Sequence, residues 1–371
     1  MNKKKYFIIM TVVIIYTVIS LGMEKVSLED LGIITGIGYD IKKVSPTEKK
    51  YVFPFSIYDF EISGKRSSHI SVGEGKNVGE TIETRQKQMN KTMIQGLERV
   101  FVIGQEFAEN GLKPILDERA RNYQTSDMAF GAICNGRSED ILAMKVQGYA
   151  SSSEFIAGLI ERQQGYNFFS QDYKIVDMLV RIGAEGRNLV MPYIDVKDNN
   201  IEIDGLAIFK KDKMIAVTDL YNARVLNLLR ENDVKGVLSY QRSPKEYTDI
   251  YVTNKRKVKC EKKEDKYTFT IDLKLTGNIT SNTLYKDILN NLEVKNEYEK
   301  LMSKKVEDMC NQFLNKMKNE YKTDCLELGR EAAAKYGRRT GVDWNDIVCN
   351  SQIIVKAKVI VNEQGRGDYT K

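Results

Sequence analysis

An apolar run without a single charge, Tyr6 to Ser20, follows the basic stretch Asn2-Lys3-Lys4-Lys5 and constrains where the rest of the chain can fold. As a helix through Gly22 it would extend about 26 Å at ~1.5 Å per residue, close to the ~30 Å hydrocarbon core of a bilayer. Lysines ahead of the run predict that Met1 stays cytoplasmic and that everything after Met23 is translocated. The segment reads as a signal peptide or a single-span anchor. It ends in Ser20-Leu21-Gly22-Met23, and small Ser20 and Gly22 suit cleavage after Gly22. A bacterial lipoprotein carries cysteine at the position of Met23, and a thioether has no nucleophile to accept a diacylglycerol, so no lipidation is expected there. We expect Tyr6–Gly22 to stay uncleaved and to tether the body.

That body is ordinary in composition, with 42% hydrophobic and 29% charged residues and only five prolines in 371, which excludes a polytopic membrane protein. Its pattern predicts an α+β, multi-domain fold of mixed sheets flanked by helices. Leu31–Tyr39 and Lys50–Tyr58 are strand-like, with Pro54 suggesting an edge position. Val78–Leu97 carries Ile82, Met89, Met93 and Leu97 at helical spacing. Val100–Ile103 suits a strand, and Glu106–Glu109 and Pro114–Arg121 suit helices, with Gly111 as a stop between them. Met128–Cys134 reads as a strand covered on both faces. The polar break Asp198-Asn199-Asn200 predicts a boundary, giving a signal or anchor helix over 1–23 and α/β domains over 24–198 and 199–371, the latter subdivided near 245. Beyond it, Ile203–Phe209 and Met214–Thr218 form a hairpin, Asn222–Leu229 a helix and Val237–Gln241 a strand. Tyr298, Met302, Val306, Met309, Phe313, Met317 and Tyr321 lie on one face of a long helix. Ile353–Val361 is the last strand of the sheet it packs on.

The functional chemistry is sparse. A net charge of +6 is diffuse and does not point to nucleic acid. Cys134, Cys260, Cys310, Cys325 and Cys349 are odd in number and lack C-x-x-C spacing, against a disulfide framework or a zinc site. His69 is the single histidine, so multi-histidine metal sites are excluded, and no nucleophile motif accompanies it for a triad. Gly36-Ile37-Gly38 lacks the third glycine and the helix start of a dinucleotide turn and reads as close packing. The basic run Lys255-Arg256-Lys257-Val258-Lys259, with Lys262, Lys263 and Lys266, reads as the wet face of a hairpin. No phosphate loop, G-x-S-x-G, H-E-x-x-H, EF-hand or kinase signature occurs. We therefore assign no catalytic, cofactor-binding or metal-ligating residue and expect no cofactor. An exported recognition or scaffold protein fits best. An exported enzyme acting on wall polymer, or a free secreted ligand-binding protein, stays open.

Four segments in order carry a family resemblance. Glu24 to Asp40 contains Thr35-Gly36-Ile37-Gly38-Tyr39-Asp40, Val102 to Leu112 contains Ile103-Gly104-Gln105-Glu106, and Asp204 to Met214 reads DGLAIFKKDKM. Tyr321 to Gly329 has the spacing Y-x-x-D-x-x-x-x-G, with Trp344 ahead of a final strand. Together they resemble the C subunits of spore nutrient receptors, the Ger(x)C family, over essentially everything after Met23. The resemblance implies a non-enzymatic subunit in nutrient-triggered spore germination, assembled with A and B membrane subunits in the spore inner membrane. Its body would lie on the extracytoplasmic side, with a small nutrient germinant met through the complex. The family's lipobox cysteine is replaced by Met23.

Overall fold

In the computed structural model, residues 3–22, 27, 30–45, 48–60, 66–122, 124–285, 288 and 290–364 are described. Met23, on which the lipidation and cleavage expectations turn, lies outside them. Helix α1 (Lys3–Gly22) is apolar on every side, and Phe7, Ile8 and Met10 are all more than half exposed. Among the described residues no helix is long and apolar enough to cross a membrane, the side chains of residues 18–22 lying outside that set.

The body is built on two sheets. The first contains β1 (Leu31–Lys43), β2 (Lys49–Phe60), β3 (Arg66–Gly75), β4 (Thr92–Ile94), β5 (Val100–Gly104), β6 (Phe130–Cys134), β7 (Val190–Lys197), β8 (Asn200–Lys210) and β9 (Lys213–Asp219). Their order is β3-β2-β1-β5-β6-β7-β8-β9, with β4 also paired to β1. Strands β1, β5, β6 and β7 run parallel, and hairpins extend the sheet on both sides. Alternate side chains sort to its two faces, as a two-residue period requires. Phe101, Ile103, Ile133 and Phe209 pack beneath α3 (Gln105–Asn110), α4 (Lys113–Arg121) and α7 (Ile175–Gly183). Val100, Val102, Ala132 and Ile208 face α5 (Ser138–Leu142), α6 (Ser152–Gln163) and α8 (Leu220–Arg230).

Two expectations change here. The stretch 78–97 is not one helix: α2 (Val78–Gln86) stops, and Thr92–Ile94 pairs with Leu31–Ile33 as a strand. Gly96, at φ +91°, turns the chain out of helical geometry. Nor does the apolar spacing mark the buried face of α2, since Ile82 is exposed while Thr81 and Arg85 are buried. Arg85 lies 3.4 Å over the Phe55 ring and donates to the Phe53 carbonyl. Pro54 is interior rather than at an edge, because β3 covers the far side of β2. Asp198 and Asn199, both at positive φ, form the tip of the β7–β8 hairpin, so the first sheet continues across the polar break. The change of sheet comes after α8.

The second sheet has the order β10 (Lys235–Ser243), β11 (Glu246–Lys263), β12 (Lys266–Asn282), β13 (Gln352–Gln364). Across it lie α9 (Leu292–Lys316) and a π-helical turn, Met317–Tyr321. Tyr298, Met302, Val306, Phe313, Met317 and Tyr321 of the predicted stripe are buried in the core cluster that this sheet shares. Helix α8 joins the two bodies: Ala223, Val225, Leu226, Leu228 and Leu229 are buried around its circumference, in one core with Ile250 and Phe269. A helix buried on this many sides, its Asn227 and Arg230 included, lies between layers rather than on a surface.

The same packing closes the β13 edge. Backbone N–H groups of Ala357, Val359 and Val361 donate to Glu307 Oε1 (3.0 Å), Ser303 Oγ (2.9 Å) and Glu299 Oε1 (2.8 Å) of α9. Four helical residues rise ~6 Å and two strand residues ~6.6 Å, so the two ladders stay in step. An open edge is a template for pairing with another chain, and this one is occupied. We expect Glu299→Ala with Glu307→Ala to orphan two donors, lowering stability by ~2–6 kcal/mol at ~1–3 per group. Urea unfolding measures the loss, and the paired glutamine variants, which keep an acceptor, should recover most of it.

Candidate functional site: an arginine-lined cleft between the sheets

The family-like segments prove to hold the scaffold. Thr35 donates to the Ser56 carbonyl and sits 3.4 Å from Ser151, the N-cap of α6. A Cβ on Gly36 would lie 2.2 Å from Ser153 Oγ, and one on Gly38 would meet Ser138 Oγ at 2.4 Å and Pro54 at 2.5 Å. Asp40 accepts the Ser138 N–H (2.7 Å), the Ser138 hydroxyl (2.8 Å) and the Glu139 N–H (3.0 Å). Burial raises its carboxyl pKa against these bonds. The two glycines thus let α5 and α6 close on β1, and Asp40 fastens the first turn of α5. The second segment meets the third, since the Leu112 N–H donates to the Asp212 carbonyl at the β8–β9 tip (2.8 Å).

The fourth segment builds the joint between the sheets. Asp324, buried behind Tyr321, accepts N–H bonds from Leu326 (3.0 Å) and Gly329 (2.7 Å). Burial pushes its pKa up to about 6 in spite of them. Gly329, in α10 (Leu328–Tyr336), lies directly against Gly186 of the loop after α7: a Cβ on Gly186 would sit 2.3 Å from the Gly329 carbonyl carbon. Asn188 donates to the Asp324 carbonyl (3.0 Å) and to Asn345 (2.6 Å) of α11 (Trp344–Asn350). Gly186 also holds φ +70°, so Gly186→Ala combines overlap with left-handed strain and should cost ~2–5 kcal/mol. Thermal unfolding compared with Gly183→Ala, where a Cβ meets nothing within 4 Å, isolates the effect.

Glu327, held at φ 58°, turns its carboxylate into four guanidiniums. Oε1 lies 2.6 Å from Arg230 and 3.2 Å from Arg181, and Oε2 lies 2.9 Å from Arg187 and 3.4 Å from Arg330. Glu231 also pairs with Arg230 (3.0 Å) and, more loosely, with Arg181 (3.5 Å), which lies 3.3 Å from the Asp172 carboxylate as well. Burial works to raise the Glu327 pKa, but Arg230, Arg181 and Arg187 bring it down to about 2. Arg230, 1% exposed in its side chain, also donates to the carbonyls of Cys325 and Asn188. Burial would lower its pKa; Glu327 and Glu231 raise it above the ordinary value. This network floors a cleft of about 750 Å³ whose wall includes Phe169, Tyr166, Tyr251 and Arg256.

The residues weighed from sequence fall elsewhere. His69 lies on β3 with Nδ1 2.6 Å from Asp59, which also pairs with Lys91 (3.2 Å), a surface cluster far in chemistry from a triad. The five cysteines are free, and burial raises every one of their thiol pKa values, to about 11 at Cys260 and Cys349 and about 12 at Cys310. Among the described residues no three His, Cys, Asp or Glu side chains gather as metal ligands. Lys255, Lys257 and Lys259 form a wet face, but Arg256 does not belong with them. It shares the inward parity of Val258 and Cys260 and reaches the cleft. Arg181, Arg187, Arg230 and Glu327 carried no signal in the sequence, since Glu327 falls on an unspecified position of the Y-x-x-D-x-x-x-x-G spacing.

Comparison with known proteins bears on the whole body. A profile described as spore germination protein N-terminal domain matches residues 24–196, and one described as spore germination B3/GerAC-like, C-terminal, matches residues 204–365. The chain belongs to the Ger(x)C family. Among relatives of this Ger(x)C protein, spore germination protein GerQC of Bacillus cereus is 22% identical over 95% of this chain and 97% of its own length. Spore germination protein A3 of Bacillus subtilis (strain 168) is 22% identical over 91% of this chain and 92% of its own. The crystal structure of the GerBC protein shares the fold, with a TM-score of 0.58 and 15% identity over 91% of this chain and 99% of that one. The two profiles meet between 196 and 204, at the polar break, although the first sheet runs through it.

Proposed function

We propose that this protein is a subunit of a spore germinant receptor and acts in nutrient-triggered germination by recognition or assembly rather than by catalysis. The observation that carries this is the match of both halves of the body, in order, to spore germination proteins over nearly their full lengths. A body whose motif residues are spent on helix caps, glycine contacts and a buried ionic joint supports a scaffold role. Four buried thiols, the half-buried Cys349 and a histidine paired with surface charges support the reading that none of these side chains acts as a nucleophile.

Helix α1, apolar in sequence and with its side chains from Tyr6 to Thr17 exposed, supports attachment to the spore inner membrane, with the body on the extracytoplasmic side and A and B membrane subunits as partners. In this reading α1 replaces the lipid that Met23 cannot carry. Deleting the gene should abolish the germination response to the nutrients its receptor serves while leaving other triggers intact. Normal responses to every nutrient that wild-type spores answer would refute the proposal. Mass spectrometry of the mature N-terminus tests the tether: retention of Tyr6–Gly22 is expected, and a chain beginning at Met23 contradicts it.

A further inference from the structure

Among the described residues, Arg256 takes no part in the ion pairs of the joint. Arg256 donates through Nη2 to the Leu326 carbonyl (2.9 Å), but its Nε is buried without an acceptor, and no carboxylate among the described residues forms an ion pair with it. Burial lowers its pKa, although Glu331, Asp324, Glu231 and Glu327 act to raise it. Those carboxylates are engaged elsewhere: Glu327 is divided among four arginines, Glu331 pairs with Arg330, Glu231 pairs with Arg230 and Arg181, and Asp324 accepts backbone N–H groups. Around the cleft, seven arginine and lysine side chains face five carboxylates. Half-exposed Arg330 stands at the rim, only 3.4 Å contacts holding it to Glu327 and Glu331. Tyr166 and Tyr251, their rings 5.8 Å apart, supply an aromatic wall beside these charges.

We propose that the cleft between the two sheets binds a small organic oxyanion, its carboxylate or phosphate held by Arg256 and Arg330 and its body lying against Tyr166 and Tyr251. A cavity of about 750 Å³ is of the size that takes small ligands. A planar guanidinium with free donors matches an oxyanion, and partial desolvation strengthens the bond. The inference does not rest on the receptor reading: it concerns this chain's own cleft and is read without partner subunits.

The test is calorimetric titration of the detergent-solubilised full chain with benzoate and, separately, inorganic phosphate. Saturable binding of either is expected, weakened about tenfold or more by Arg256→Gln and by Arg330→Gln, each of which removes a charge-assisted bond. Lys259→Gln, on the opposite face of β11, should bind as the wild type does. Should Arg256→Gln fail to fold, Arg330→Gln decides, because a half-exposed side chain is dispensable to folding. No saturable binding up to about 20 mM, a limit beyond which site affinity is negligible, would overturn the proposal. So would unchanged binding by Arg330→Gln.

Discussion

Glu327→Ala should be among the most damaging single substitutions in the body, costing ~3–5 kcal/mol, the range for removing one partner of a buried ionic network. Arg230 and Arg181, with side chains 1% and 4% exposed, would lose one of the two carboxylates that they share and keep only Glu231 between them. Denaturant unfolding of the variant measures the loss; a change under about 1 kcal/mol, the scale of an exposed pair, would contradict the structure of the joint. The glutamine variant keeps shape but not charge and should fall between.

The same joint sets a pH signature with two opposite limbs. Glu327 titrates at about 2 in the fold against an ordinary 4.5, so its stabilisation is present above the ordinary value and is lost as pH falls towards 2. Asp324 titrates at about 6 against an ordinary 3.8, so its contribution is fully present below the ordinary value and is lost as pH rises through 6. Urea midpoints between pH 3 and pH 7 should lose the second limb in Asp324→Asn and the first in Glu327→Gln. Identical profiles in the variants and the wild type would contradict both assignments.

Leu226→Ala should cost ~2–5 kcal/mol as a large-to-small change in a closed core. The larger consequence concerns cooperativity. Leu226 lies in the helix that both sheets share, so the loss should lower one common transition rather than split it in two. Fluorescence of Trp344, next to the second sheet, and far-ultraviolet circular dichroism of the whole chain should move together. Separate midpoints would mean that the bodies fold independently and that α8 does not bind them into one core.

These outcomes bear on what the sequence made legible. Strands β1, β5 and β6, the 298–321 stripe and the 203–218 hairpin were visible because their signal is local, an alternation or a helical period set by burial. Strand β4 was missed because Met93 falls at helical spacing from Met89 and was read without the partner strand that claims the backbone. The polar Asp198-Asn199-Asn200 stretch is a hairpin tip as well as the place where the two profiles meet, because a turn and a boundary use the same residue types. The joint was invisible for a different reason. Arg181, Arg230 and Glu327 come from elements far apart in the chain, and no period links them. Arg256 was hidden among lysines, although its parity with Val258 and Cys260 already turned it inward.

The central claim, that this chain is a receptor subunit held at the spore membrane with A and B partners, is tested most directly by affinity purification of the tagged full chain from solubilised spore inner membrane. The account expects a large A-type membrane protein and a permease-like B subunit to co-purify in comparable amounts. Recovery of the chain without either, or its appearance in the soluble fraction alone, would contradict it.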